Sequence, residues 1–341
     1  HPNNAGPLGV IGSSSANALA EEADVILAVG TRLQDFTTGS WSVFGNEKMR
    51  LISLNAARYD AHKHRALSVV GDALVGIEEL GKSLADWSGS ESWTSKAGTL
   101  YAEWNRTIEE HSGKTDTVPP SYAHVVGAVN RVCDDTDLAL TASGGFPGEL
   151  CKNWKTKTVG TFDCEFGFSC MGYEIAGGWG AKMADPSRDV IVFVGDGAYL
   201  MLNSDVYSSV LTGHKMIIIL CDNGGFGVIN RLQNFKGSAS FNNLLEDSKV
   251  EHLEYVDFVQ HAKSMGALGE QVESISELEA AFKRAKAAGR TYLISIKVQQ
   301  HQWTPGDAWW DVGVPEVSQR KEVRLAHADH SEGQKKQRIG V

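Results

Sequence analysis

The stretch Val192-Phe193-Val194-Gly195-Asp196-Gly197-Ala198, "VFVGDGA", climbs an apolar strand and sets one carboxylate between two glycines. Such a turn has a purely structural reading, since Gly accepts unusual backbone angles and Asp favours turns. A second motif weighs against that reading: Asp222-Asn223-Gly224-Gly225 follows another apolar run, Met216 to Cys221, and Asn223 stands 27 positions after Asp196. If the two strands are parallel, both stops fall on one sheet edge, which is where open α/β sheets bind ligands. The Asp196 carboxylate and the Asn223 amide oxygen then form a pair of hard oxygen ligands. Mg²⁺ takes about six such oxygens and shares them with bound phosphates, so the Gly225 carbonyl and a diphosphate nearly complete the shell. Gly195 and Gly197 let the backbone approach phosphate oxygens, and the N–H groups of Gly197 and Ala198 are expected to point at the anion.

The surrounding pattern supports a parallel sheet. From Pro120 onward, helix Ala123–Val132, strand Leu138–Ala142, helix Gly172–Met183, strand Val190–Val194, helix Leu202–Leu211 and strand Met216–Cys221 alternate. Helices near Asp257–Met265 and over Ile275–Ala288 and a strand over Tyr292–Val298 follow. The strands are apolar along their length, so helices are expected on both sheet faces. Before this domain lies a shorter α/β alternation: helix Ser13–Glu22, strand Val25–Val29, strand Leu51–Leu54, strand Val69–Val70 and helix Leu74–Leu84. The expected organisation is a partial Rossmann-like central domain over 1–85, a linker with one helix over 86–120, a diphosphate- and Mg-binding domain over 121–300, and an extension and loose polar tail over 301–341.

Composition narrows the function. The 341 residues are 42% hydrophobic and carry a net charge of -10. That charge argues against a basic face for nucleic acid or for an anionic membrane surface. Cys133, Cys151, Cys164, Cys170 and Cys221 are odd in number and form no CxxC pair, so a reducing, cytoplasmic setting is expected. No apolar run reaches the length needed to span a bilayer.

Asp196-Gly197 and Asp222-Asn223 together resemble the metal signature of thiamine diphosphate enzymes, in which a GDG turn is followed by NN or a near variant. Here "DN" fills the second half, with the metal-binding position retained at Asn223. "GFSCMGYEIAGGWGAKMA" at Gly167–Ala184 is similar to the loop and helix before the metal strand in the acetolactate synthase and pyruvate oxidase group. That resemblance implies that Met171 props the cofactor in its bent form. "TASGGFPG" matches the loop that meets the diphosphate from the other side, which implies Ser143, Gly144 and Gly145 as cofactor contacts.

Three stretches narrow the match: "GTRLQDFTTGSW", "TASGGFPGELCKNWKTKTVGTFDCEFGFSCMGYEIAGGWG" and "WWDVGVPEVS". From about Gly9 to Ser318 the chain resembles the trihydroxycyclohexane-1,2-dione hydrolases of myo-inositol breakdown. The resemblance implies hydrolytic opening of a cyclic 1,2-diketone to 5-deoxy-glucuronate, with thiamine diphosphate and Mg²⁺ as cofactors. Phe146, Glu165 and Phe226 are the residues expected near the diketone, and Glu165 is the acid or base among them. In such enzymes the glutamate that activates the cofactor lies in an N-terminal domain, and none of the 341 residues matches it. The resemblance therefore implies a site completed by that domain or by a second subunit, in a homodimer or tetramer, and inactivity of this piece alone. Two other functions stay open at this point: a related lyase or carboligase acting on a 2-keto acid or acyclic diketone, and an inactive assembly partner.

Several features carry less. "GVIG" with "AVGTR" lacks the GxGxxG fingerprint, so a structural loop is preferred over a dinucleotide site. His62 and His64 in "RYDAHKHRA" read as a wet surface. Trp303, Trp309 and Trp310 are expected to anchor the C-terminal segment rather than to form a lid.

Overall fold

The computed structural model describes every residue except Pro2 and residues 339–341. The chain forms two compact units, one made of residues 1–107 and 305–341, the other of residues 108–304.

The first unit carries a parallel sheet in the order β1 (Val25–Val29), β2 (Arg50–Asn55), β3 (Leu67–Val70). Ser13 starts the helix Ser14–Glu22 by accepting a hydrogen bond from the Ala16 N–H, the cap expected from the serine run. Ala20, Ala28, Val43, Phe44, Met49 and Leu51 form its core. Val25, Leu67, Val69, Leu74 and Val75 remain exposed on β1, β3 and the helix Ala73–Leu84. Within the expected linker the small-residue segment "ESWTSKAG" opens the helix Glu91–Ser112. Ser90 accounts for this start, because its hydroxyl accepts from the Trp93 N–H at 3.3 Å and supplies a cap.

Much of the segment expected as a loose tail is helical, and its last three residues, 339–341, lie outside the described residues. Lys321–Gln334 is a helix in the first unit, with Val323 and Gly333 buried. Trp309 stacks on His330 with ring centroids 5.9 Å apart, and a side chain at Gly333 would run into the Trp309 ring. The Trp310 indole donates to Asp35 Oδ2 at 2.6 Å, and the Asp311 N–H donates to Ser40 Oγ at 3.0 Å. Trp309 and Trp310 therefore anchor the segment. The charged residues that made it read as tail lie on the helix's exposed faces.

The second unit is built on a six-stranded parallel sheet in the order β5-β4-β6-β7-β9-β8. These strands are β4 (Leu138–Thr141), β5 (Phe162–Cys164), β6 (Val190–Gly195), β7 (Ile217–Asp222), β8 (Leu268–Val272) and β9 (Tyr292–Lys297). Strand alternation explains why the central strands are apolar throughout. Ile191, Phe193, Ile217 and Ile219 enter one core with helices Tyr122–Val132 and Ile275–Ala287. Val190, Val192, Val194, Ile218 and Leu220 enter a second core with Ile175, Tyr199, Val206 and Phe258. Both sheet faces are covered, as the unbroken apolar runs require. Each fully buried Val, Ile or Phe contributes about 1.5–3 kcal/mol.

Candidate functional site

Parallel register brings the sequence motifs to one edge. β6 pairs with β7 so that Gly195 stands opposite Cys221, which sets Asp196, just past β6, beside Asp222, the last residue of β7. Glu165, Ser143, Asp196 and Asn223 follow β5, β4, β6 and β7, four neighbouring strands, at their carboxyl ends.

Asp196 opens the helix Asp196–Met201 and is buried, with 5% exposure. Its Oδ2 accepts from the Gly225 N–H at 2.7 Å, while Oδ1 is buried with no hydrogen-bond partner. Burial first, and the Asp222 charge second, push the Asp196 carboxyl up to about 7, against the pull of the Gly225 amide. Asn223 is also buried; its Nδ2 donates to the Tyr122 hydroxyl at 2.8 Å, and its Oδ1 likewise has no partner. The Asn223 carbonyl accepts from Gln300 Nε2 at 2.9 Å, and Asp222 Oδ1 turns back to accept from the Gly224 N–H at 3.0 Å.

The turn around these residues is braced from one side. Gly225 has φ +144, and a side chain there would collide with the Asn243 carbonyl, so this position needs glycine. The Phe226 N–H donates to Asn243 O at 2.7 Å and the Leu245 N–H donates to Gly224 O at 2.8 Å. A Cβ on Gly197 would meet the Phe226 ring at 2.7 Å and the Gly225 carbonyl oxygen at 3.6 Å. Asp196, Gly197, Asn223, Gly225 and Phe226 thus form one cluster.

The β4 end is tied down by Glu174, which the sequence reading passed over. Glu174, fully buried in the first turn of the helix Tyr173–Ala184, accepts from the Ser143 N–H at 3.1 Å, the Ser143 hydroxyl at 3.3 Å and the Gly172 N–H at 2.8 Å. One carboxylate therefore joins the Ser143-Gly144-Gly145 loop to the segment carrying Met171. Burial raises the Glu174 pKa, opposed by these donors. A signal was present: an acid three residues after Met171, at the start of a helix that packs on the sheet. Gly145 lies against the Trp303 ring, and Met171 packs on the second core. Phe146, expected near a diketone, instead sits in the first core, edge-on to Tyr122 at 4.9 Å. It begins a buried helix, Phe146–Asn153, and that places its ring inside.

Glu165 has a different setting. Its oxygens accept from the Phe168 N–H at 2.9 Å and the Cys170 N–H at 2.8 Å, closing the loop ahead of Met171. These amides, Cys170 first, hold its carboxyl below the usual range, so it is ionised at neutral pH and is a proton acceptor there, not a donor. Phe226 is partly exposed at 38% beside Gly197.

A cleft of about 750 Å³ opens beside Asn223, lined among others by Asp222, Gly224, Tyr255, Lys297, Gln300 and His301. It lies beside the Asp222–Gly224 turn and does not include Asp196 or the Ser143–Gly145 loop among its lining residues. Among the described residues, no group of three or more His, Cys, Asp or Glu side chains is arranged to hold a metal. The Asp196 cluster offers another donor set, one carboxylate and one amide with an unpartnered buried oxygen each, together with backbone carbonyls. That set fits a hard cation that takes the rest of its shell from a bound diphosphate. Two buried oxygens without donors are costly unless something electropositive sits between or beside them.

Comparison with known proteins identifies a family. Residues 143–296 match the family "Thiamine pyrophosphate enzyme, C-terminal TPP binding domain", and residues 1–80 match "Thiamine pyrophosphate enzyme, central domain". A protein of Geobacillus thermodenitrificans (strain NG80-2) named 3D-(3,5/4)-trihydroxycyclohexane-1,2-dione hydrolase is 36% identical over 98% of this chain and 56% of its own length. Proteins of the same name from Bacillus thuringiensis (strain Al Hakam) and Bacillus anthracis (strain CDC 684 / NRRL 3495) are 34% identical over 96% of this chain. The chain spans 56% of the length of these relatives. No helix among the described residues is long and apolar enough to cross a membrane.

Proposed function

We propose, for a chain that belongs to the thiamine pyrophosphate enzymes and carries matches to their central and C-terminal domains, that it is the diphosphate- and metal-binding part of an enzyme that opens the ring of 3D-(3,5/4)-trihydroxycyclohexane-1,2-dione by hydrolysis. The observation that carries the site reading is the pair of unpartnered buried oxygens, Asp196 Oδ1 and Asn223 Oδ1, at the ends of adjacent parallel strands. The substrate reading rests on the names of relatives aligned along almost the whole chain.

In this proposal Asp196, Asn223 and the Gly225 carbonyl hold Mg²⁺, and Gly195, Gly197 and Ala198 give the diphosphate room and amide donors. Ser143, Gly144 and Gly145, fixed by Glu174, meet the diphosphate from the β4 side. Met171 and Phe226 line the cofactor's path toward its reactive end. Thiamine diphosphate, when bound, supplies the electron sink that lets the bond between two carbonyl carbons break. In this proposal Glu165, ionised and partly exposed, takes a proton from water adding to the neighbouring carbonyl. The glutamate that activates the cofactor comes, in this proposal, from outside these 341 residues, and the complete site forms in a cytoplasmic homodimer or tetramer of the longer protein.

The test is to supply the remaining part of the relatives' length, either fused or as a separate polypeptide, and to assay with thiamine diphosphate and Mg²⁺. Acid production from the cyclic dione without gas supports the proposal. CO₂ release or carboligation from pyruvate, with no action on the dione, replaces it with a lyase or carboligase. No thiamine-dependent turnover of either leaves only the assembly role.

A further inference from the structure

We propose that Tyr122 is a positioning residue for the cation: its phenol holds the Asn223 amide with the oxygen facing the metal site. The proposal rests on the reading of Asp196 and Asn223 as metal ligands.

An amide side chain has nearly the same shape either way round, and before a cation binds its hydrogen bonds decide which end faces the site. When the oxygen is committed to a metal, the two N–H protons must still be satisfied inside a buried pocket. Asn223 Nδ2 donates one of them to Tyr122 Oη at 2.8 Å. The other side of that nitrogen is closed by Gly227, where a Cβ would come within 2.5 Å of it.

Tyr122 is itself held in place. Its ring is fully buried, stacked on Trp303 at 5.5 Å and 15°, and edge-on to Phe146 at 4.9 Å and 85°. Ser121, the preceding residue, caps the helix that carries it, with His124 completing a capping box. Burial above all pushes the phenol's pKa well up, so it stays a neutral acceptor and donor across the working pH range. A core tyrosine needs only its ring to fill space. The hydroxyl is aimed at Asn223, whose buried oxygen, like that of Asp196, lacks a partner, and this gives it a second task.

Tyr122→Phe keeps the ring and removes only that acceptor. Metal binding must then strand a buried N–H, and Mn²⁺ affinity in the presence of saturating thiamine diphosphate should fall by about tenfold. The readout is free Mn²⁺ by electron paramagnetic resonance, and it needs no turnover. The same substitution in an Asn223→Asp background has no N–H to strand, so it should leave Mn²⁺ affinity unchanged or raise it. A loss of equal size in both backgrounds would mean that Tyr122 merely packs the core and would overturn the proposal, as would an unchanged affinity in the Asn223 background. Absence of Mn²⁺ binding in the unsubstituted chain would sink the metal site itself. A measurement without substitution guards against a variant that does not fold: the Asn223 side-chain NH₂ should stay protected from hydrogen exchange when Mg²⁺ and thiamine diphosphate are added. Its deprotection on binding would contradict the assignment.

Discussion

Glu174→Gln isolates the one carboxylate that joins the β4 loop to the Met171 segment. Three donors converge on its two oxygens: the Ser143 N–H, the Ser143 hydroxyl and the Gly172 N–H. Glutamine offers one oxygen and one NH₂. The Ser143 hydroxyl can turn to accept from that NH₂, but the two backbone N–H groups cannot, so one of them is left facing a donor in a buried site. A stranded buried donor costs about 1–3 kcal/mol. In a unit of this size, residues 108–304, about 2 kcal/mol lowers the melting temperature by about 4–8 °C. The loss is expected to fall on the Ser143-Gly144-Gly145 loop, and thiamine diphosphate affinity should drop by about tenfold, the equivalent of about 1.4 kcal/mol. A pH series adds a second readout. Burial raises the Glu174 pKa in the fold, so the native state holds a proton that the unfolded chain has lost, and wild-type stability declines as pH rises through that raised value. Glutamine does not titrate, so its variant should lack this part of the decline. Melting and cofactor titration, both followed by tryptophan fluorescence, decide the case. A variant with wild-type melting temperature and wild-type cofactor affinity would refute the claim that Glu174 organises the loop.

Metal binding should depend on pH, because the cation needs the Asp196 carboxylate and burial with the Asp222 charge raises its pKa to about 7 in the metal-free fold. Mn²⁺ affinity should fall by about tenfold per pH unit below that value and level off above it; a flat profile from pH 5.5 to 8, read by titration calorimetry, would exclude Asp196 as a ligand. Glu165→Gln should slow acid production from the cyclic dione in the completed enzyme while leaving thiamine diphosphate affinity unchanged, and full activity would remove it from the mechanism. Gly178→Ala should destabilise the second unit by about 1–3 kcal/mol, because its Cβ would run into Val192 and stand 3.0 Å from the Met216 sulfur; an unaltered chemical denaturation midpoint would contradict that packing.

The sheet edge was legible because parallel β6 and β7 leave an unmistakable trace: two unbroken apolar runs, each stopped by a polar turn containing Gly. Strands β5 and β8 left no such trace. β5 spans only Phe162–Cys164 at the sheet edge, and β8, "LGEQV", is a half-buried edge strand with polar residues inside it. The helix Gly227–Phe235 follows directly on the glycines of the Asp222–Gly225 turn, which carry no helical signal, and the turn is braced by the hydrogen bond from the Phe226 N–H to the Asn243 carbonyl, a contact between residues 17 positions apart. Asp196 and Asn223 were found by spacing, whereas Glu174 and Tyr122 act on them or their neighbours through contacts that spacing does not encode. Tyr122 reaches Asn223 across 101 positions, and Glu174 reaches Ser143 across 31. Asp222 could be seen in the sequence as a departure from the usual asparagine, but its effect on Asp196 needed the strand register.

The most direct test of the account is thiamine diphosphate binding by this chain with and without Mg²⁺, compared with Asp196→Ala under the same conditions. Binding should strengthen with Mg²⁺ in the unsubstituted chain, and the variant should keep its circular dichroism spectrum but lose the metal dependence. Equal, metal-dependent affinity in both proteins would show that the carboxylate between the two glycines only turns a corner.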